Sequence, residues 1–206
     1  MKNIFLIGGT MGVGKTTTCQ IIKDKLNNSV FLDGDWCWDM RPFQVTEETK
    51  EMVMQNICFL LNNFIKCSVI NNIVFCWVMH QQAIVDDIIS RLDIQGCKVH
   101  LISLVCSTEA LSERLIQDVD AGNRTKDILL KSLERITLYD KLNTVKVDVS
   151  NITAEQAADL IIQRASQCQL IEMESPHNLT PHVQHQGRTS ALQTVLMDGQ
   201  LKMSIM

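Results

Sequence analysis

The stretch "GGTMGVGKTT", residues 8–17, follows the apolar run "NIFLI" at 3–7 and leads into a segment with helical spacing. It holds four glycines, one lysine and three threonines, a mixture that packing between a strand and a helix does not call for. From Gly9 to Thr16 the residues fit G-x-x-x-x-G-K-[ST]. Glycines there let the backbone curl until successive N–H groups point at one anion. Gly9, Thr10, Met11, Gly12, Val13 and Gly14 form the cradle, and Thr17 stands beside Thr16 in the first turn of the helix. That helix adds unpaired N-terminal donors and the positive end of its dipole. Lys15 can reach β- and γ-phosphates as a point charge, and the Thr16 hydroxyl can ligate Mg²⁺. A two-glycine turn would suffice to join strand to helix, and an outward lysine would gain nothing from it. The stretch implies a nucleotide-phosphate site.

Outward from this loop, strand-like runs stand at 3–7, 30–33, 72–78, 98–105 and 144–149. Each is short and nearly continuous in apolar character, as in strands of a parallel sheet covered on both faces. Helical spacing predicts helices at 15–27, 46–67, 81–93, 108–118, 126–141 and 153–168, with Thr153 placed to cap the last. The alternation predicts an open α/β sandwich with right-handed crossovers. After residue 168 the sequence "SPHNLTPHVQHQGRTS" carries two of the three prolines, three of the five histidines and no hydrophobic periodicity. Residues 1–168 therefore read as one domain and 169–206 as a largely flexible C-terminal tail. His177, His182 and His185 lack cysteine or carboxylate at ligand spacing, so no metal site is expected there.

With 206 residues, 46% hydrophobic and 20% charged, the chain can bury a core of ordinary size. A net charge of −4 offers no global basic field for nucleic acid or an anionic membrane surface. The apolar stretch "ICFLLNNFIKCSVINNIVFCWVM" is broken by Asn62, Asn63, Lys66, Asn71 and Asn72, whereas a spanning helix needs about 20 apolar residues. Eight cysteines include no C-x-x-C pair and lie mostly in apolar runs, which points to a reducing cytoplasm. The expected partner is a small-molecule substrate, with no nucleic acid and no membrane, in a monomer or homodimer.

"VFLDGDWCW", residues 30–38, places Asp33 and Asp35 at the carboxyl end of the second strand, the edge where ligands sit in open α/β sheets. Their i, i+2 spacing puts both on one side of an extended segment. Phosphoryl transfer needs one carboxylate to orient Mg²⁺ and its waters, and another to accept the proton of an attacking hydroxyl. Asp33 suits the metal, and Asp35 suits the base or substrate-hydroxyl anchor. The competing reading is an Asp-Gly turn with Asp35 capping the next helix.

Three arginines follow the fourth strand: Arg114, Arg124 after the break "DAGN", and Arg135. Asn123 or Gly122 ends the first helix, leaving 118–125 as a short loop. Guanidinium groups on a mobile segment can neutralise charge spreading over a transferred phosphoryl group and exclude water on closure. The alternative pairs Arg114 with Asp118 at i+4, and Arg135 with Asp127.

Together the phosphate loop, the D-x-D and the arginine segment resemble the nucleoside monophosphate kinase fold. More narrowly, residues 1–168 resemble the small-molecule P-loop kinases: gluconate and shikimate kinases, chloramphenicol phosphotransferase and bacterial AAA-type nucleotide kinases. The resemblance implies a three-layer P-loop NTPase sandwich with strand order 2-3-1-4-5 and a short arginine-bearing lid, using ATP and Mg²⁺. It implies that Arg124 and Arg135, eleven apart with Tyr139 four further on, contact donor and acceptor phosphates, and that Arg114 contacts the nucleotide. "KVDVSNITAEQAADLI" resembles the adenine-side loop and closing helix, so Val149–Ile152, with Ser150 and Asn151, would back the adenine. Strand three departs from the family. It ends "FCWVMHQQ", without D-G-[FY]-P-R, a glycine triplet or an acidic Walker B residue, which moves magnesium organisation onto Asp33. Trp36, Trp38, Arg41, Trp77 and His80 fall where a substrate pocket would form. Arg41 could hold an acidic substrate group, and His80 could equally be a satisfied core-edge histidine.

The reading that joins these observations is an ATP- and Mg²⁺-dependent kinase of a small cytosolic molecule. Lys15, Asp35 and Arg124 would carry the chemistry, and Asp35, Trp36, Arg41, His80 and Arg135 would hold the acceptor. The rivals are a nucleoside or nucleotide kinase proper, and an ATP-binding module or regulator that phosphorylates nothing.

Overall fold

A computed structural model of the chain describes residues 1–122, 124 and 128–167. The expected tail, with Cys168 and its three histidines, lies outside the described residues, as do Asn123 and Asp127. Five strands, β1 (Lys2–Gly8), β2 (Ser29–Asp33), β3 (Asn72–Trp77), β4 (Cys97–Val105) and β5 (Val145–Asp148), form one parallel sheet. Their order is β2-β3-β1-β4-β5, as the resemblance implies. Among the described residues six α-helices cover it: α1 (Lys15–Lys25), α2 (Glu47–Lys66), α3 (Gln82–Ser90), α4 (Thr108–Asp120), α5 (Ile128–Ile136) and α6 (Ala154–Gln167).

Side chains alternate across each strand, so one sequence run feeds two cores. Phe5, Ile7, Val74, Cys76, Ile102 and Leu104 pack with Cys19 and Ile22 of α1, Leu111 and Leu115 of α4, and Ala157 and Ile161 of α6. Ile4, Leu6, Ile73, Phe75 and Trp77 pack on the other face with Val53, Ile57 and Leu61 of α2 and Ile84 and Ile88 of α3. Burial on both faces is why these strands are continuously apolar. Among the described residues, no helix is long and apolar enough to cross a membrane.

Helices α2, α4 and α6 start on side-chain caps. The Thr46 hydroxyl accepts from the Thr49 N–H, and the Ser107 hydroxyl from the Ala110 N–H. Thr153 caps α6 as expected, in a reciprocal pair with Gln156. Two differences from the sequence reading bear on the site. Helix α4 runs through Asp120, so 118–120 is helix rather than loop, and it stops where Gly122 takes a left-handed φ of 75°. The stretch expected as one helix over 126–141 divides at Ile136 into α5 and a 3-10 helix, Thr137–Lys141. The tighter turn directs Tyr139 into the interior against Gly8.

Register fixes the site. Gly8 of β1 pairs with Trp77 of β3, and Asp33 of β2 pairs with Cys76. The loop after β1, the acids after β2 and the end of β3 therefore share the carboxyl edge of the sheet.

Candidate active site

The loop between β1 and α1 is held open by stereochemistry. Gly12 has φ 81° and Gly14 φ 102°, values that L side chains rarely adopt. At Gly12 an added Cβ would stand 2.4 Å from Leu115 Cδ2. Gly14 is the N-cap of α1 and supplies no side-chain cap, so the first-turn N–H groups open into the loop without intrahelical partners. Lys15 folds back over the loop, its Nζ donating to the Thr10 carbonyl at 3.1 Å. Helix α5 holds the loop from behind. The buried Thr10 hydroxyl donates to the Ser132 carbonyl at 3.1 Å, and Arg135 Nη1 stands 3.9 Å from Met11 Sδ. Burial drives the Tyr139 hydroxyl well above the ordinary phenol range.

The acids interlock with this loop. Asp33 is buried, and its Oδ2 accepts from Thr16 Oγ1 at 2.7 Å and from Cys76 Sγ at 3.4 Å. Its Oδ1 accepts from the Asp35 N–H at 3.1 Å, capping a 3-10 helix over Gly34–Trp38. The capping role considered for Asp35 thus belongs to Asp33, and α2 has its own cap in Thr46. Asp35 is half-buried, and its Oδ1 accepts from Trp77 Nε1 at 3.1 Å. Burial, then the neighbouring Asp33 charge, raise its carboxyl above the usual range; Lys15, the Trp77 hydrogen bond and Arg124 oppose the rise.

The arginines divide their work. Arg114 is a brace: Nη1 donates to the Val13 carbonyl at 3.3 Å, and Nη2 to the carbonyls of Val149 and Ser150. It ties the phosphate loop to the turn after β5. Asp118, considered as its partner, instead accepts from Arg124 Nε at 2.9 Å. Arg124 still lies near enough to Asp35 to influence its ionisation. Ser150 is held by Asp148 and accepts from the Ser107 N–H, while Asn151 is exposed.

The proposed pocket residues also separate. Trp36 is 55% exposed and meets Phe31 edge-on, whereas Trp38 is buried with its Nε1 donating to the Gln44 carbonyl at 3.2 Å. Trp38 is core. Arg41 is exposed, and His80 is buried. The sequence reading missed the Trp77–Asp35 bond, the Cys76 thiol on Asp33 and the Thr10–Ser132 bond. Strand order could have exposed the first two, since β2 and β3 as neighbours bring residues 33–35 beside 76–77.

Among solved structures, the gluconokinase from Sinorhizobium meliloti 1021 superposes with a TM-score of 0.61 at 16% identity, over 81% of this chain and 93% of that one. The shikimate kinase from Acinetobacter baumannii gives 0.56 at 19%, over 83% and 96%. A fungal RNA kinase gives 0.52 at 15%, over 81% and 86%. At these identities the likeness is one of fold, the α/β fold of P-loop kinases. No curated protein matches the sequence. Residues 5–135 match the family model described as an AAA domain, from within β1 to the end of α5. Since that span is well over half of the chain and carries the phosphate loop, the acids and the arginines, this protein is a member of that AAA domain family.

Proposed function

We propose that this protein is an ATP- and Mg²⁺-dependent phosphotransferase that moves the γ-phosphoryl group of ATP to a hydroxyl or phosphate of a small cytosolic molecule. The observation that carries the reading is the 2.7 Å hydrogen bond between Thr16 and Asp33, which joins the two loops at one point beside Lys15. Two hard oxygen donors there are the ligand chemistry that Mg²⁺ takes, directly or through its waters. When bound, the ion neutralises charge on the β- and γ-phosphate oxygens.

The chain's own groups do the rest. The N–H groups of residues 9–17 hold the polyphosphate, and Lys15 leaves the Thr10 carbonyl for the β,γ-oxygens. Asp35 takes the proton of the attacking hydroxyl, and the raised proton affinity that burial and Asp33 give it brings it nearer the working pH of a base. Arg124 and Arg135 neutralise charge on the transferred group, Val149–Asn151 and Arg114 flank the base, and Trp36, Arg41 and His80 line the acceptor side. Catalysis is then mostly positioning and charge stabilisation.

The test is isotope-traced ATP turnover with a panel of hydroxyl compounds and nucleoside monophosphates. At least one acceptor should stimulate ADP release, and Asp35→Asn should abolish the stimulation. ATP binding without any acceptor dependence across the panel would leave a nucleotide-binding module and end the kinase reading.

A further inference from the structure

Strand β3 lacks an acid at its end, and its last residue reaches across the sheet edge to the second aspartate instead. Trp77 is 5% exposed, and its Nε1–H donates to Asp35 Oδ1 at 3.1 Å. The ring lies on the main chain of the residue between the two acids. A Cβ added at Gly34 would stand 2.6 Å from Trp77 Cγ and 2.7 Å from Cδ1. No side chain fits beneath that ring, so glycine at 34 and tryptophan at 77 form one unit. Pairing with Gly8 fixes the backbone of Trp77 beside the strand that enters the phosphate loop.

Asp35 is thereby held twice. Asp33 Oδ1 accepts its main-chain N–H, and Trp77 takes one oxygen of its side chain. A carboxylate anchored only by its backbone turns about its side-chain torsions and presents a given oxygen part of the time. Fixing Oδ1 sets the direction of Oδ2. Proton acceptance depends on such alignment, because a misplacement of about 1 Å can cost about 10²-fold in rate.

We propose that Trp77 is a positioning residue for the transfer reaction: it clamps Asp35 Oδ1 so that Oδ2 faces the acceptor hydroxyl, and Gly34 is the space that admits the clamp. This rests on the reading of Asp35 as the base. A ring that merely filled the core would need no donor at that edge, and phenylalanine would serve as well.

Trp77→Phe keeps the ring and removes the donor. It is expected to lower kcat with the best acceptor about 10-fold while the KM for ATP stays within about two-fold. Gly34→Ala should repeat the kcat defect by displacing the ring. Independently of activity, the indole N–H resonance of Trp77 should move further in Asp35→Ala than those of Trp36 and Trp38, which do not donate to Asp35. An unchanged kcat in folded Trp77→Phe, beside an inactive Asp35→Asn, overturns the clamp and leaves the base assignment standing. An indole resonance indifferent to Asp35→Ala overturns it too. A wild-type protein without acceptor-stimulated ADP release overturns the underlying reading instead.

Discussion

In the phosphate loop, the groups that face the site belong to the main chain, and glycine torsions together with the uncapped start of α1 fix their direction. Further along the chain, at 33–35 and 76–77, the working groups are side chains at the ends of two neighbouring strands, each oriented by another side chain. The first region is specified locally, by which residues can adopt a conformation. The second is specified only once β2 and β3 pair. A backbone cradle keeps its shape through changes that leave its torsions alone, whereas each group on the acid side is oriented only through a partner from another segment.

The largest test of this contrast is Lys15→Ala, which removes the cationic side chain folded over the cradle. Turnover should fall by at least about 10²-fold, the cost of losing one preorganised charge-stabilising donor, with the melting temperature nearly unchanged. Isotope-traced turnover within a few-fold of wild type would break the assignment of the loop. Next come the glycines themselves. Gly12→Ala combines a left-handed φ with a clash on buried Leu115 and should cost about 3 kcal/mol of stability. Gly14→Ala meets nothing within 4 Å and should cost only the torsional part, about 1–2 kcal/mol. Chemical denaturation of the two variants gives the comparison, and equal losses would mean that Leu115 yields freely. Arg114→Lys is smaller again. A single ammonium cannot span the Val13, Val149 and Ser150 carbonyls, so about 1 kcal/mol should be lost, along with nucleotide affinity. Unaltered nucleotide titrations would show that the brace is dispensable.

The same contrast explains what could be read from the chain. Strand runs at 3–7 and 72–78 were legible because both faces are buried, and the loop was legible because few residues adopt its torsions. The strand order came from resemblance, since periodicity says nothing of neighbours. The contacts of Arg114 with the loop's own carbonyls were not legible, because a guanidinium satisfies carbonyl and phosphate oxygens alike and only the fold decides which are near. Trp36 and Trp38 looked equivalent in sequence. The 3-10 turn between them sends one outward and the other under Gln44. The break within 126–141 was hidden because Tyr139 fits a helical pattern equally well, and the space beside Gly8 that draws it inward comes from another strand.

The smallest effect concerns Asp35, and its sign runs against intuition. Burial and the nearby Asp33 charge raise its carboxyl in the folded chain, so the folded state binds this proton more tightly than the unfolded state does. Stability attributable to Asp35 is therefore highest below the ordinary carboxylate range and declines as pH rises through the window up to the raised value. At neutral pH the ionised group opposes folding. Asparagine keeps an oxygen for the Trp77 indole and carries no charge, so nucleotide- and metal-free Asp35→Asn should melt above wild type at neutral pH while failing in turnover. The advantage should shrink as the pH is lowered through the raised value, because the wild-type carboxyl then takes up its proton in the folded state while the unfolded chain's is still ionised. Melting curves collected from mildly acidic to neutral pH make the comparison, and a variant less stable than wild type across that range would show Asp35 to be a structural anchor rather than a strained base. A gain would mean that the acid side of the site is held against its own electrostatics for the sake of chemistry, as sites that trade stability for activity are.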